Sequence, residues 1–265
     1  MARGDGSATR LLAGNNTGPY MVLAAHPDDE TIGLASFLRE WSENVVVVHV
    51  TDGSPRDLRY ARAAGFYSQA AYAQARRHEA GAALALASVP AASILALKFI
   101  DQEVAYALRP LVERVTALMQ RFKPAIVVAH PYEGGHPDHD AVSFAAAAAL
   151  RLAGVPSRLC EFCSYHASEE TLITGEFLPG SVPVCTRQLN AAEQELKRRM
   201  FAAYASQSEV LKAFGTESER IRPAPAYDFS AAPHGGRLYY EGRISSLTGA
   251  CWRSLAVAAA AKLGL

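Results

Sequence analysis

The chain has little cysteine, no excess of either charge and no long apolar run. Four cysteines are too few for a disulfide framework at 265 residues, so a reducing cytoplasm is the expected compartment. Cys160 and Cys163 form a C-x-x-C, but no second pair completes a structural zinc site, so both read as plain core residues. Lys plus Arg equals Asp plus Glu, at 26 each. That balance leaves no basic footprint for nucleic acid and argues weakly against an anionic membrane surface. No segment has the apolar length of a transmembrane span, and the polar start, Met1 to Pro19, lacks a signal-peptide core. No G-x-G-x-x-G follows the first apolar run, which argues against a dinucleotide site.

What is present is alternation. Tyr20–Ala25, Asn44–Val50, Ile94–Phe99, Ala125–Ala129 and Arg158–Tyr165 read as strands, and the four consecutive valines of the second suit burial on both faces. Thr31–Glu43, Ser68–Ala87, the stripe from Val104 to Met119 and Asp138–Leu152 have helical spacing. Pro110 breaks that stripe, so the helix is either kinked there or begins there. The pattern predicts an α/β fold with a mostly parallel sheet covered on both faces. Arg56–Phe66 reads as a mobile loop, Gln188–Ser206 as an amphipathic helix and Ser254–Leu265 as a docked terminal helix. A flexible segment over 1–18 is expected before a single domain, 19–265. Its core covers about 20–210, and a C-terminal elaboration covers about 211–265.

Two clusters stand out: Ala25-His26-Pro27-Asp28-Asp29-Glu30 and Gly135-His136-Pro137-Asp138-His139. Each follows a predicted strand, and an open parallel sheet binds ligands at the carboxyl ends of its strands. Catalytic zinc takes three ligands from His, Asp or Glu and leaves one position for water. His26, Asp29 and His139 supply such a set. Asp28 is placed to act as general base. His136, protonated, would help stabilise an oxyanion, with Asp138 orienting it. The plain reading of either cluster alone is turn chemistry and helix capping, with the acids favoured by the helix dipole. Two clusters of complementary ligand type, both at strand ends, argue against it.

His-Pro-Asp-Asp-Glu after a first strand, with a later His-Pro-Asp-His, resembles the PIG-L or LmbE-like family of zinc-dependent N-deacetylases. Thr51-Asp52-Gly53, Arg76-x-x-Glu79, the Asp101 region and Ser206-Gln207 extend the resemblance over roughly residues 20 to 210. It implies a Rossmann-like, three-layer fold with zinc at the strand ends. It implies His26, Asp29 and His139 as ligands, Asp28 as base and His136 as oxyanion stabiliser or acid. Zn2+ is the expected cofactor, with Fe2+ the alternative. The implied substrate is a small N-acetylated sugar or glycoconjugate, and nothing argues against a homo-oligomer. Arg76 falls where the family often has a sugar-contacting arginine, against the ordinary salt bridge of a helix arginine. Asp52 either caps its turn or contacts substrate.

His166 ends a strand and is a third candidate for substrate contact. His49 reads as core, and His130 as a residue behind the site. The aromatic tail from Tyr227 to Glu241 suits either a substrate cover or ordinary packing, the latter preferred. Rival functions are an amidase of a sugar–thiol conjugate, non-haem iron oxygenation and a non-catalytic sugar-binding protein. Oxygenation ranks low, because it leaves Asp28 and His136 without roles.

Overall fold

In a computed structural model, residues 19–168, 171–244 and 246–265 are described. The flexible segment expected over 1–18 lies outside them. Five strands, β1 (Tyr20–Ala24), β2 (Val45–Thr51), β3 (Ile94–Phe99), β4 (Ile126–Ala129) and β5 (Arg158–Phe162), run parallel in the order β3-β2-β1-β4-β5. A short antiparallel pair, β6 (Tyr165–Ser168) and β7 (Thr171–Thr174), stands apart from them. The main sheet continues past β5 through β9 (Ser218–Pro223) to β8 (Cys185–Gln188), both pairings antiparallel. The result is a seven-stranded, mostly parallel sheet of Rossmann-like order.

The valine-rich strands are buried on both faces because helices cover both. Met21 and Leu23 of β1 pack with Leu111 and Val115 of α4 (Leu108–Phe122) and with Val142 and Ala145 of α5 (Pro137–Leu152). Val22, between them, faces Leu34 and Leu38 of α1 (Asp29–Trp41) and Leu84 of α3 (Gln69–Leu86). This period-2 division of one strand between two cores is what a doubly covered sheet requires. Each fully buried Leu or Val contributes about 1.5–3 kcal/mol. No helix among the described residues is long and apolar enough to cross a membrane.

Three expectations change. The stretch Arg56–Phe66 contains a short helix, α2 (Leu58–Ala63), whose first turn is capped by the Asp57 carboxylate accepting from Arg59 N–H. Pro110 lies in the first turn of α4, where its missing N–H costs nothing, and the helix starts two residues before it. The run Arg158–Tyr165 is not one strand: Cys163 donates its N–H to Arg220 O at 3.0 Å, and the chain leaves the sheet there before β6. After the amphipathic α6 (Ala191–Ala203) come α7 (Ser208–Leu211) and, at the chain's end, α8 (Gly249–Leu263). Trp252 of α8 donates Nε1–H to Pro137 O at 3.1 Å and stacks on Tyr132, so the terminal helix docks beside the second cluster.

Between β1 and β4 the strand order reverses. The helices that follow these two strands, α1 and α5, pack on opposite faces of the sheet, so the two loops part and leave a crevice. Both clusters lie in those loops.

Candidate active site

The two loops converge on one cup. Asp29 opens α1, and its Oδ2 accepts the His26 backbone N–H at 2.7 Å and lies 3.1 Å from His26 Nδ1. Across the switch point, His139 Nε2 from α5 comes within 3.3 Å of both Asp29 Oδ1 and His26 Nδ1. All three residues are buried. Ligands about 2.0–2.1 Å from a tetrahedral zinc stand roughly 3.3–3.4 Å apart. The three side chains approach one another at about that spacing, His26 through Oδ2 and His139 through Oδ1 of Asp29, and this donor set suits a divalent cation. Three overlapping groups, His26 with His136 and His139, His26 with Asp101, His136 and Asp138, and Asp29 with His130 and His139, each bring their ligand-type atoms within 4.8 Å of one another.

Neighbouring side chains fix His26, Asp29 and His139. His26 Nε2 lies 3.1 Å from Asp101 Oδ1 and 3.4 Å from Asp138 Oδ2. Burial opposes a charge on His26, but Asp101 and Asp29 outweigh it and raise its pKa well above the ordinary value. Asp101 is held at about 2 because His26, His136 and Arg76 overcome its burial. His139 Nδ1 pairs with Ser164 Oγ at 3.3 Å, and its ring stacks on His130 at 3.9 Å. Burial and His130 push His139 down to about 3, so the ring is neutral, with its Nε2 facing the cup. Burial works against the Asp29 carboxylate, but His139, His130 and His26 hold it well below the usual range.

Asp28 lies beside the cup, and burial pushes it up to about 7 although the Arg76 guanidinium touches it. A carboxyl titrating there is matched to proton transfer at neutral pH. His136 departs from expectation. Burial, with His26 and His139 close by, lowers it to about 3, so it is neutral rather than protonated. Its Nδ1 accepts the Asp138 backbone N–H at 3.1 Å, which leaves the ring proton on Nε2. The Asp138 side chain does not orient His136. Its oxygens accept from Gln102 N–H at 2.6 Å and Val104 N–H at 3.2 Å, and one approaches His26.

Arg76 is buried and bonded to the protein: Nη1 donates to Gly53 O, and Nη2 to Pro27 O and Asp28 Oδ2, each at 3.0 Å. It lines the cavity with both of its terminal nitrogens bonded to the protein. Asp52 stays in its turn, where Oδ1 accepts Ser54 N–H at 3.0 Å, and does not line the cavity. His166 is buried in β6, with Nδ1 against Ala167 O, and does not line it either. Glu30 does more than start a helix: His49, Tyr204 and Thr31 all bond its buried carboxylate.

Asp101, Ser164, Tyr165 and Gln207 stand at the cup or its cavity without a role from sequence reasoning, whereas His130 lies behind the site as expected, stacked on His139. Asp101 had a usable signal, since it follows the third parallel strand at the same sheet edge as the clusters. Two weak resemblances, Arg76-x-x-Glu79 and Ser206-Gln207, prove to be one contact. The Glu79 carboxylate accepts from Ser206 N–H at 2.9 Å and Oγ–H at 2.6 Å, while Gln207 Nε2 donates to Tyr72 OH at 2.6 Å.

The cup forms part of a cavity of about 380 Å³ that His26, Asp28, Asp29, Asp101 and His136 share with Tyr165 and Gln207. A larger groove, about 740 Å³ between α5 and α8, brings no such cluster together.

No curated protein sequence matches the chain. Among solved structures, the zinc-inhibited teicoplanin deacetylase Orf2 is similar with TM-score 0.60 and 18% identity, over 79% of this chain and 99% of that one. The N,N'-diacetylchitobiose deacetylase of Pyrococcus horikoshii gives 0.55 and 18%, over 83% and 93%. GalB, the 4-carboxy-2-hydroxymuconate hydratase of Pseudomonas putida KT2440, gives 0.51 and 15%, over 80% and 98%. At such identity these likenesses establish the fold. Residues 21–150 match the PIG-L family, described as GlcNAc-PI de-N-acetylase. That matched stretch holds all the ligand-type side chains of the cup.

Proposed function

We propose that the chain is a metal-dependent hydrolase that removes an N-acetyl group from an amino sugar or amino-sugar conjugate. The observation that carries the reading is the convergence of His26, Asp29 and His139 at 3.1–3.3 Å beside Asp28, a carboxyl raised to about 7. The family description and two deacetylases among the structural relatives support the N-acetylated sugar. The cation is zinc in this reading, with iron(II) the alternative. All four cysteines are free, in keeping with a cytoplasmic setting.

A cation held by His26, Asp29 and His139 supplies Lewis acidity toward the amide carbonyl and lowers the pKa of a water. Asp28 takes a proton from the water as it attacks the carbonyl carbon. Arg76 fixes the carboxylate that does so. His136 donates its Nε2–H to the carbonyl oxygen as negative charge develops there. The proton on Asp28 then passes to the amide nitrogen, the C–N bond breaks, and acetate and the free amine leave.

The test is acetate release from N-acetylated sugars and sugar conjugates, with metal analysis of the same protein. Asp28→Asn keeps the metal and loses roughly 10²–10⁴-fold in turnover. His26→Ala loses the metal itself. Near-normal turnover in Asp28→Asn would sink the mechanism. Sugar bound without acetate released would favour a binding protein, and water added across a carbon–carbon double bond would favour a hydratase like GalB.

A further inference from the structure

His130 lies behind the cup and does not line its cavity. Its ring is held on both faces, stacked on His139 at 3.9 Å and against Phe162 at 4.6 Å. The residue is fully buried, so its two nitrogens must find partners along the ring's edge. Nε2 accepts the Ala25 backbone N–H at 3.0 Å and stands 3.4 Å from Asp29 Oδ2. A backbone N–H only donates, so Nε2 keeps its lone pair and the ring proton stands on Nδ1. Nδ1 is buried and has no partner among the described residues. A buried N–H without an acceptor is rare in a folded chain.

A second, small cavity meets that need. His130 lines a space of about 10 Å³ with Ser143 of α5, Glu161 of β5 and Tyr227. Its other walls are alanine, leucine and proline side chains. Such a volume is about that of one water, which takes roughly two to four polar partners when buried. The Glu161 carboxylate accepts from Arg222 Nε–H at 2.9 Å and Tyr227 OH at 3.0 Å, both at Oε2. We propose that one ordered water occupies this space, accepting from His130 Nδ1–H and bonding Ser143 Oγ and Glu161 Oε1. Ser143 and Glu161 are then positioning residues: through the water they hold His130 as its Nδ1–H tautomer. The other tautomer would turn an N–H on Asp29 Oδ2 and leave the Ala25 N–H without its acceptor. The water therefore leaves the Asp29 charge undivided for a cation. Only this last effect rests on the proposed function; the water itself rests on the fold.

The test reads tautomer and metal together. Nitrogen NMR of the isotopically labelled, zinc-loaded full chain distinguishes a protonated ring nitrogen from a bare one, and the signals lost in His130→Asn assign His130. Wild type should show Nδ1 protonated and Nε2 bare, and a high-resolution crystal structure should show one water against Nδ1. Ser143→Val fills the space with methyl groups. It should move the proton to Nε2 and weaken zinc binding by roughly 10- to 100-fold in competition with a chelator. Ser143→Ala leaves room for the water and two of its partners, so it should keep the wild-type tautomer and affinity. Wild type with Nε2 protonated, or with no water in the space, overturns the proposal even if Ser143→Val does not fold. So does a Ser143→Val variant with unchanged tautomer and affinity, or one whose losses Ser143→Ala matches. Wild type that binds no zinc overturns the metal-dependent hydrolase, and the tautomer then decides the water alone.

Discussion

Arg76 has its two terminal nitrogens bonded to Gly53 O, Pro27 O and Asp28, and it is only 4% exposed. A guanidinium held this way sets where a carboxylate points. Arg76→Ala should therefore lower kcat by about 10²-fold, the scale of an ångström-sized misplacement, with little change in KM. Breaking a buried ion pair also costs about 3–5 kcal/mol, so the variant's melting temperature belongs beside its kinetics. Raised KM with normal kcat would instead make Arg76 a sugar contact. His136 shows what sequence can and cannot tell at this scale. Its residue type and its place after a strand mark it out, because chemistry depends on type and position. Its charge state is hidden, because that depends on burial and on His139 and the distant His26, 110 residues away, both of which folding brings into ring contact with it. Only folding shows that the carboxylates of Asp101 and Asp138 both approach His26 Nε2.

The loop before α5 is a seam between two parts of the structure. Gly134 sits at φ 69°, in the left-handed region, and its carbonyl accepts Tyr239 N–H at 2.9 Å. A Cβ on Gly135 would stand 2.0 Å from Tyr165 O. The hairpin strand β6 and the C-terminal elaboration thus press directly on the backbone that carries His136. Gly135→Ala should destabilise by at least about 1–3 kcal/mol, as overpacking does, and should lower turnover by displacing His136. A variant with unchanged melting temperature and rate would show that the seam is slack. The elements on the two sides of this seam were not equally legible. Strands β1 to β4 read clearly, since continuous apolar runs bounded by helices have one interpretation in a doubly covered sheet. Strands β8 and β9 are four and six residues long and owe their places to partners distant in sequence, such as Cys160 of β5 for Pro223 of β9. Local periodicity does not record such partners, and the aromatic tail's part in the cavity was hidden with them.

At the scale of the molecule, one buried arginine ties the parallel core to the antiparallel edge. Arg222 of β9 reaches Glu161 of β5 at 2.9 Å and Glu133 of the His136 loop at 3.1 Å, with Tyr227 OH bonding the same group. Burial raises Glu133 to about 7 and Glu161 to about 8 although Arg222 opposes it. An unfolded glutamate has lost its proton above about 4.5, so the folded chain binds more protons between there and about 8. Stability from these groups is therefore present at low pH and is lost as pH rises through that window. Glu161→Gln removes one such proton requirement. Its stability relative to wild type should rise with pH, by up to about 1.4 kcal/mol per pH unit, in urea denaturation. A constant difference between the two proteins across that range would contradict this. The spacing of the cup's three residues His26, Asp29 and His139 along the chain has a consequence in time as well as in space. His26 and Asp29 are made early, and 110 residues separate Asp29 from His139. β4 must also pair with β1 after two other strands have been laid down on β1's far side in chain order. A growing chain therefore carries half a cup until its second half emerges, and the site closes only as the sheet itself does.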